Sequence, residues 1–286
     1  MKVSLICSVH NEGETIIEIL DSIFGQTRVP DEVILIEDSS TDNTYSLLRK
    51  YQTKQKKLKV VQVKTKNRSK NRNLGIQKSK GEFIVCVDAG CRLKKDYIEK
   101  ILRCKEKNKG KEFFGGVTRI KPRNNFEKAY KILVERKADE NYLPKGHAFC
   151  FDKILWKKTK GFDESLMMAE DTDFILRAKN VHQSPVVCGD AIVYWDSRKN
   201  FREVFEQFKN YGKWDGVLFK GKKNPKKTLL SLVIGIVFPL AICYAGLKGF
   251  QALIKNKNLV VGGDLFFLQL VKIYGYDLGF VLGGTN

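Results

Sequence analysis

Several signatures of phosphate- and metal-binding proteins are missing from this sequence. Its 286 residues hold only three histidines, and no Cys/His set has the spacing of zinc ligands, which excludes a zinc module. The seven cysteines include no C-x-x-C pair, and several sit inside apolar runs (Cys7, Cys86, Cys243). The expectation is reduced thiols in a cytosolic compartment. No G-x-G-x-x-G follows the first apolar run and no G-x-x-x-x-G-K-[ST] occurs. Dinucleotide-binding and P-loop readings therefore lack their phosphate cradle. There is no internal repeat and no low-complexity linker. The apolar part of Met1–Val9 is too short for a signal peptide and reads as a strand.

Acidic residues are also the minority, 32 against 52 Lys and Arg, for a net charge of +20. The composition, 43% hydrophobic and 29% charged, is that of a globular chain with a sizeable core. The lysines are spread through helices and loops, and no basic stretch is studded with aromatics in the manner of a single-strand platform. No nucleic-acid partner is expected. An anionic membrane surface or a phosphate-bearing substrate accounts for the charge at least as well.

What is present is an alternation. Val3–Val9, Glu32–Glu37, Leu58–Val63 and Phe83–Val87 are short β-rich runs. Between them lie helical patterns at Thr15–Phe24, Asn43–Tyr51 and Ser69–Lys80. This order predicts an α/β fold, a mostly parallel sheet with flanking helices, whose ligands bind outside the carboxyl ends of the strands. Glu37, Asp38 and Asp88 fall there. Farther on, Phe113–Ile120, Ala148–Phe151 and Val186–Trp195 look like strands, and Phe126–Asn141 and Thr172–Lys179 like helices.

The tail differs. Leu229–Leu247 carries no charge over 19 residues, is interrupted by Pro239, and follows five lysines between Lys220 and Lys227. It is the candidate transmembrane helix, with a cytosolic basic flank. A second, weaker apolar segment, 259–282, contains Asp264, Lys272 and Asp277. The expected organisation is a catalytic domain over 1–220 and a membrane-associating region over 221–286.

Five short motifs occur in order. They are Ser8-Val9-His10-Asn11-Glu12, then Glu37-Asp38-Ser39-Ser40-Thr41-Asp42, then Asn71-Arg72-Asn73-Leu74-Gly75, then Phe83–Asp88 after Gly81-Glu82. Last comes Gly161-Phe162-Asp163-Glu164 with Glu170-Asp171. In order and approximate spacing they resemble the family-2 glycosyltransferases, over roughly residues 1–215. The resemblance implies a GT-A fold, a nucleotide-sugar donor and inversion at the anomeric carbon.

Each residue also has a plain structural reading. Asn11 and Glu12 open the first helix and suit its N-terminus; the resemblance sets them along the nucleoside. Asp38 ends a strand, where a carboxylate can accept a hydrogen bond from a base N–H, and Asp42 is open to a purely structural role as a cap. Arg68, Ser69 and Arg72 lie in a basic segment that is by default a solvated face, yet a diphosphate needs cations near it and arginine holds phosphate in a fork. The resemblance runs this segment along the donor. Asp88 stands where the family carries D-x-D, but this chain reads Asp88-Ala89-Gly90, so the second carboxylate is missing. A divalent metal (Mn2+ or Mg2+) is implied, held by Asp88, diphosphate and water with His147 as a further ligand; Gly90 puts that dependence in question. Glu170 and Asp171 suit the start of a helix. By resemblance Asp171 is the catalytic base, with Glu170 assisting or binding acceptor. Trp195 and Arg198 lie in a segment that, by the same resemblance, closes over the donor phosphates.

The reading is a membrane-associated, hexosyltransferase-type enzyme with its catalytic domain on the cytoplasmic side. It takes a UDP- or GDP-sugar and an acceptor that is a lipid-linked glycan or polysaccharide. Two alternatives stand beside it. A nucleotidyltransferase would need a basic Gly-rich loop where this chain has acidic Asn11-Glu12-Gly13-Glu14. A degenerate GT-A domain would bind sugar nucleotide or membrane without turnover.

Overall fold

A computed structural model describes residues 1–139, 142–219, 234–256 and 258–284. The first half is the expected alternation: β1 (Val3–Val9), α1 (Ile16–Phe24), β2 (Glu32–Asp38), α2 (Thr44–Lys54), β3 (Leu58–Val63), α3 (Arg68–Lys78) and β4 (Phe83–Asp88). Then follow β5 (Cys91–Leu93), α4 (Tyr97–Lys107), β6 (Phe113–Arg119), α5 (Asn125–Val134), β7 (Phe149–Asp152), α6 (Lys153–Lys158), α7 (Glu170–Asn180), β8 (Val186–Trp195) and α8 (Phe201–Phe219). Two long helices, α9 (Ile234–Asn256) and α10 (Leu259–Gly284), complete it.

The eight strands form one sheet in the order β3-β2-β1-β4-β7-β6-β8-β5. The first four are parallel, with Val9 beside Glu37 and Ser8 beside Asp88. Thus the carboxyl ends of β1, β2 and β4 finish level and bring Glu37, Asp38 and Asp88 to one rim. β7 enters antiparallel between β4 and β6, and β5 pairs antiparallel with β8. Alternate residues of each central strand serve different cores. Leu5, Cys7, Val85 and Val87 pack with Ile19, Leu20 and Ile98 on one face. Ile6, Ile84 and Cys86 pack with Ile76, Leu155 and Phe174 on the other.

Chain contacts divide the described residues into two compact units, 1–119 with 136–196, and 120–135 with 197–286. The second unit is helical: α5, α8, α9 and α10. Its α8 and α10 meet backbone to backbone. A Cβ added at Gly279 would lie 1.8 Å from the Lys209 carbonyl oxygen, and one at Gly212 would lie 1.9 Å from that of Tyr276. Only glycine permits so close an approach. Leu259–Phe280, within α10, is the one described helix long and apolar enough to cross a membrane, a third of that stretch being buried. The sequence ranks this segment below 229–247, of which residues 229–233 lie outside the described residues, as do Lys220–Lys227.

Three expectations change. Helix α5 stops at Val134 instead of reaching Asn141; the Glu135 carboxylate turns back to accept the Ile120 N–H at 2.5 Å, closing the loop. Residues 140–141 lie outside the described residues. Helix α7 begins two residues early, so Glu170 and Asp171 occupy its first turn. The cysteines are not all thiols: Cys104 of α4 and Cys188 of β8 form a disulfide, their Cα atoms 5.9 Å apart, a separation that suits the bond. Among the described cysteines, Cys7, Cys86, Cys91 and Cys150 remain free and buried.

Candidate active site

The rim is built from loops that latch to one another. Asn11 and Ser39, just past β1 and β2, take left-handed backbone conformations (φ 52° and 58°), which asparagine tolerates better than most residues. Asn11 Oδ1 accepts the Thr41 N–H at 2.8 Å, and the Asn11 N–H donates to Ser40 Oγ at 3.0 Å. Asp42 accepts from Gly13 N and from the Thr44 hydroxyl and N–H. Glu12 accepts the Thr15 hydroxyl at 2.6 Å, and burial pushes its carboxyl up.

Asp38 is almost fully buried, and its carboxylate is a hub. It accepts from the Thr65 N–H, the Thr65 hydroxyl and Asn71 Nδ2, each at 2.9 Å. Burial opposes its ionisation, but these bonds outweigh burial and lower its pKa. Beside it, Glu37 is fully buried and takes the Ser40 N–H on Oε1, while Oε2 has no partner among the described residues.

The Asn71-Arg72-Asn73 motif of α3 fans out, as successive helix positions must. Asn71 reaches Asp38 and the Ser8 hydroxyl. Asn73 ties down the loop before α7: its Nδ2 donates to the Phe162 carbonyl and to Glu164, and its Oδ1 accepts from Phe162 N and Trp156 Nε1. Gly161-Phe162-Asp163-Glu164 is therefore a positioning turn.

Arg72, between them, is 2% exposed and spans the centre of the site. Its Nη1 donates to Glu170 at 2.6 Å and its Nη2 to Asp88 at 2.7 Å. Arg68, one turn earlier, holds Nη1 at 3.8 Å from each of these carboxylates. Burial opposes the charge on Asp88, yet Arg72 and Arg68 outweigh it and hold the carboxyl well below the usual carboxylate range. At Glu170 burial wins and raises the pKa despite Arg72.

Asp171 follows Ala169, a non-glycine residue at φ 62° that turns the chain sharply into α7. Its Oδ2 accepts the Gly146 N–H at 3.1 Å. A Cβ at Gly146 would lie 3.0 Å from Asp171 Cβ and 3.1 Å from Arg72 Nη2, so glycine lets this backbone N–H reach the acid. His147 follows, hydrogen-bonded through Nε2 to Thr118 Oγ1 at 2.9 Å and stacked on Trp195, ring centroids 5.9 Å apart. Trp195 Nε1 is also what a Cβ at Gly90 would first meet, at 4.0 Å. Arg198 belongs to the second unit, where its Nε donates to Gln207 at 3.1 Å.

Of the residues singled out from sequence, Arg72, Asp88, Glu170, Asp171, His147 and Trp195 form one connected cluster in the first unit. Asn11, Glu12 and Asp38 build its rim. Sequence reading missed Asn71, Thr65, Gly146 and Thr118. Asn71 lay in a quoted motif; the two threonines and the glycine carry no local signal.

Burial depresses the pKa of His147 to about 4, below its ordinary value near 6.5. Its neutral form is thus favoured in the folded chain. Such a group contributes fully above pH 6.5, and its contribution is lost as pH falls towards 4 while the unfolded chain takes up the proton. We expect unfolding free energy to drop by roughly 3 kcal/mol over that window. Denaturant titrations from pH 7.5 to 4 check this, and His147→Gln should flatten the limb.

Comparison with known proteins gives the arrangement a family. The sequence profile of Glycosyl transferase family 2 matches residues 4–165, more than half of the chain. The chain belongs to glycosyl transferase family 2. Among family members it is similar to glycosyltransferase GlyG of Streptococcus pneumoniae, 30% identical over 98 residues, 34% of this chain and 33% of that protein. It is similar also to the poly(ribitol-phosphate) beta-N-acetylglucosaminyltransferase TarS of Staphylococcus aureus, 36% identical over 104 residues, 35% of this chain and 17% of that one. The chain thus spans a third or less of the length of these relatives. The crystal structure of S. aureus TarS 1–349 in complex with UDP-GlcNAc shares the fold. Its TM-score is 0.56 at 20% identity, covering 98% of this chain and 91% of that one. This agreement supports the GT-A-like α/β architecture expected from the sequence.

The family's implied metal can be tested against the donor set. Asp88 Oδ1 is taken by Arg72, a second guanidinium stands by Oδ2, and Gly90 supplies nothing. His147 Nε2 is engaged by Thr118. Among the described residues no three His, Cys, Asp or Glu side chains converge to hold an ion. Magnesium and manganese can make do with one carboxylate, phosphate and water, but here that carboxylate faces two guanidiniums and the histidine nitrogen is engaged, so these residues do not fit one.

Proposed function

We propose that this chain is an inverting glycosyltransferase that moves a sugar from a UDP- or GDP-sugar to a hydroxyl of a membrane-proximal acceptor, a lipid-linked glycan or polysaccharide. The observation that carries the reading is the contact set at the carboxyl end of β4. There Asp171, held by the Gly146 N–H, stands beside the Arg72–Asp88–Glu170 network. Asp171 takes the proton of the acceptor hydroxyl as that oxygen attacks the anomeric carbon. The bond to the nucleoside diphosphate breaks on the opposite side, and the electron pair leaves with the diphosphate. Glu170 fixes Arg72 and lines the acceptor side. Asn11, Glu12 and Asp38 shape the nucleoside rim, with Trp195 assigned to the donor phosphates. The UDP-GlcNAc complex of TarS supports a uridine-type donor.

A membrane setting draws support from the apolar Leu259–Phe280 helix and from the five lysines between Lys220 and Lys227. We place the catalytic unit on the cytoplasmic side, the side of that basic flank. Membranes containing the chain are expected to pass label from one UDP- or GDP-sugar into the lipid-extractable fraction. Intact donor binding with no transfer to lipid or polymer acceptors would favour the second reading, a sugar-nucleotide-binding domain without turnover, which Gly90 motivates.

A further inference from the structure

A nucleoside diphosphate leaves with more negative charge than it had as the sugar ester, and some cation must stand against it. Since the donor set around Asp88 does not fit a divalent ion, the question is which group does so here.

Arg68 and Arg72 lie one helical turn apart on α3 but are not equivalent. Arg72 is buried, and each of its terminal nitrogens is spent on a carboxylate at 2.6 or 2.7 Å. Its charge is committed to holding Asp88 and Glu170 in place. The Arg68 side chain is 44% exposed, and its nearest carboxylate oxygens are both 3.8 Å from Nη1, beyond hydrogen-bond reach. Among the described residues its guanidinium makes no hydrogen bond. It is a cation aimed at the rim, kept there by two acids, with its donors unspent. A planar fork of that kind matches a phosphate's oxygens.

Gly90 fits the same arrangement. Where the D-x-D pattern has a second acid to hold an ion, this chain has no side chain. Two positive groups already face the one remaining carboxylate, and a divalent cation added there would meet their repulsion.

We propose that Arg68 binds the donor diphosphate directly and takes the counter-ion role filled elsewhere by a divalent metal, so that nucleotide binding by this chain is independent of metal. The inference rests on the proposed nucleoside-diphosphate donor, and the test separates the two.

Full-length protein in detergent is titrated with UMP, UDP, GMP and GDP, in EDTA and in Mn2+. The expected result is UDP or GDP affinity within about two-fold between the two conditions. Arg68→Ala should weaken the diphosphate by roughly ten- to hundred-fold, the scale of a charge-assisted hydrogen bond. The monophosphate should change far less, and Arg68→Lys should restore part of the loss. Arg68 is exposed enough that the folded state should survive its removal, and circular dichroism of each variant checks this. Diphosphate affinity that rises ten-fold or more with Mn2+, or that is indifferent to Arg68→Ala, overturns the inference and leaves the donor reading standing. Failure of the wild type to bind any nucleotide in either condition overturns the donor reading itself, and the inference with it.

Discussion

Asp171→Asn should lower sugar transfer by about 10²–10⁴-fold, the range spanned by loss of a positioned general base. The amide oxygen can keep one of the two backbone N–H bonds that Asp171 accepts, from Gly146 and Thr172, and the side chain keeps its shape, so the loop before β7 and the start of α7 should largely hold. Donor binding should therefore change little, and the defect should fall on kcat. Single-turnover transfer set beside nucleotide titration makes the comparison. A variant as active as the wild type would remove Asp171 from the mechanism and point to an acceptor that arrives already ionised.

Arg72→Met is the substitution expected to cost the most stability. It leaves Asp88 and Glu170 without the guanidinium both share, and breaking a buried ion pair costs about 3–5 kcal/mol. The sign can be checked by pH. Asp88 has a depressed folded pKa, so its pairing contributes fully above the unfolded value and is lost as pH falls from there through the folded value. The gap between wild type and variant should hence be full at pH 7 and shrink below pH 4. Adding Glu170→Gln to Arg72→Met should recover part of the loss, because one of the stranded charges is then gone. Chemical denaturation of the wild type and the two variants reads this out.

Much of this site is legible in the chain because the chemistry sits at strand ends, and strand ends are marked by local pattern. An apolar run closing on Glu37-Asp38, or on Asp88 before a turn, needs no distant information to be recognised. The first turn of α7 is similar: acids before an apolar helical pattern place Glu170 and Asp171 even though the boundary shifts by two residues. What stayed hidden depends on partners far away in sequence. The run Ala148–Phe151 reads as a strand, but nothing local gives β7 its antiparallel pairing with β4 and β6. The Cys104–Cys188 bond joins residues 84 apart, one between Arg103 and Lys105 and the other between Val187 and Gly189, with no spacing that pairs them. Gly146 matters only because Asp171 and Arg72 come to meet it. Asn71 was overlooked for a different reason. It stands beside an arginine whose charge is the stronger local signal, although Asn71 is what fastens α3 to both Asp38 and Ser8.

The Arg68 guanidinium, beside both Asp88 and Glu170, also ties together two equilibria that a reaction scheme would draw as separate. A donor that draws Arg68 towards its phosphates withdraws charge from Glu170 and must raise that acid's affinity for a proton. By reciprocity, a proton on Glu170 changes donor affinity by the same factor. The pH dependence of donor binding should therefore carry the titration of Glu170, a carboxyl we propose lines the acceptor side.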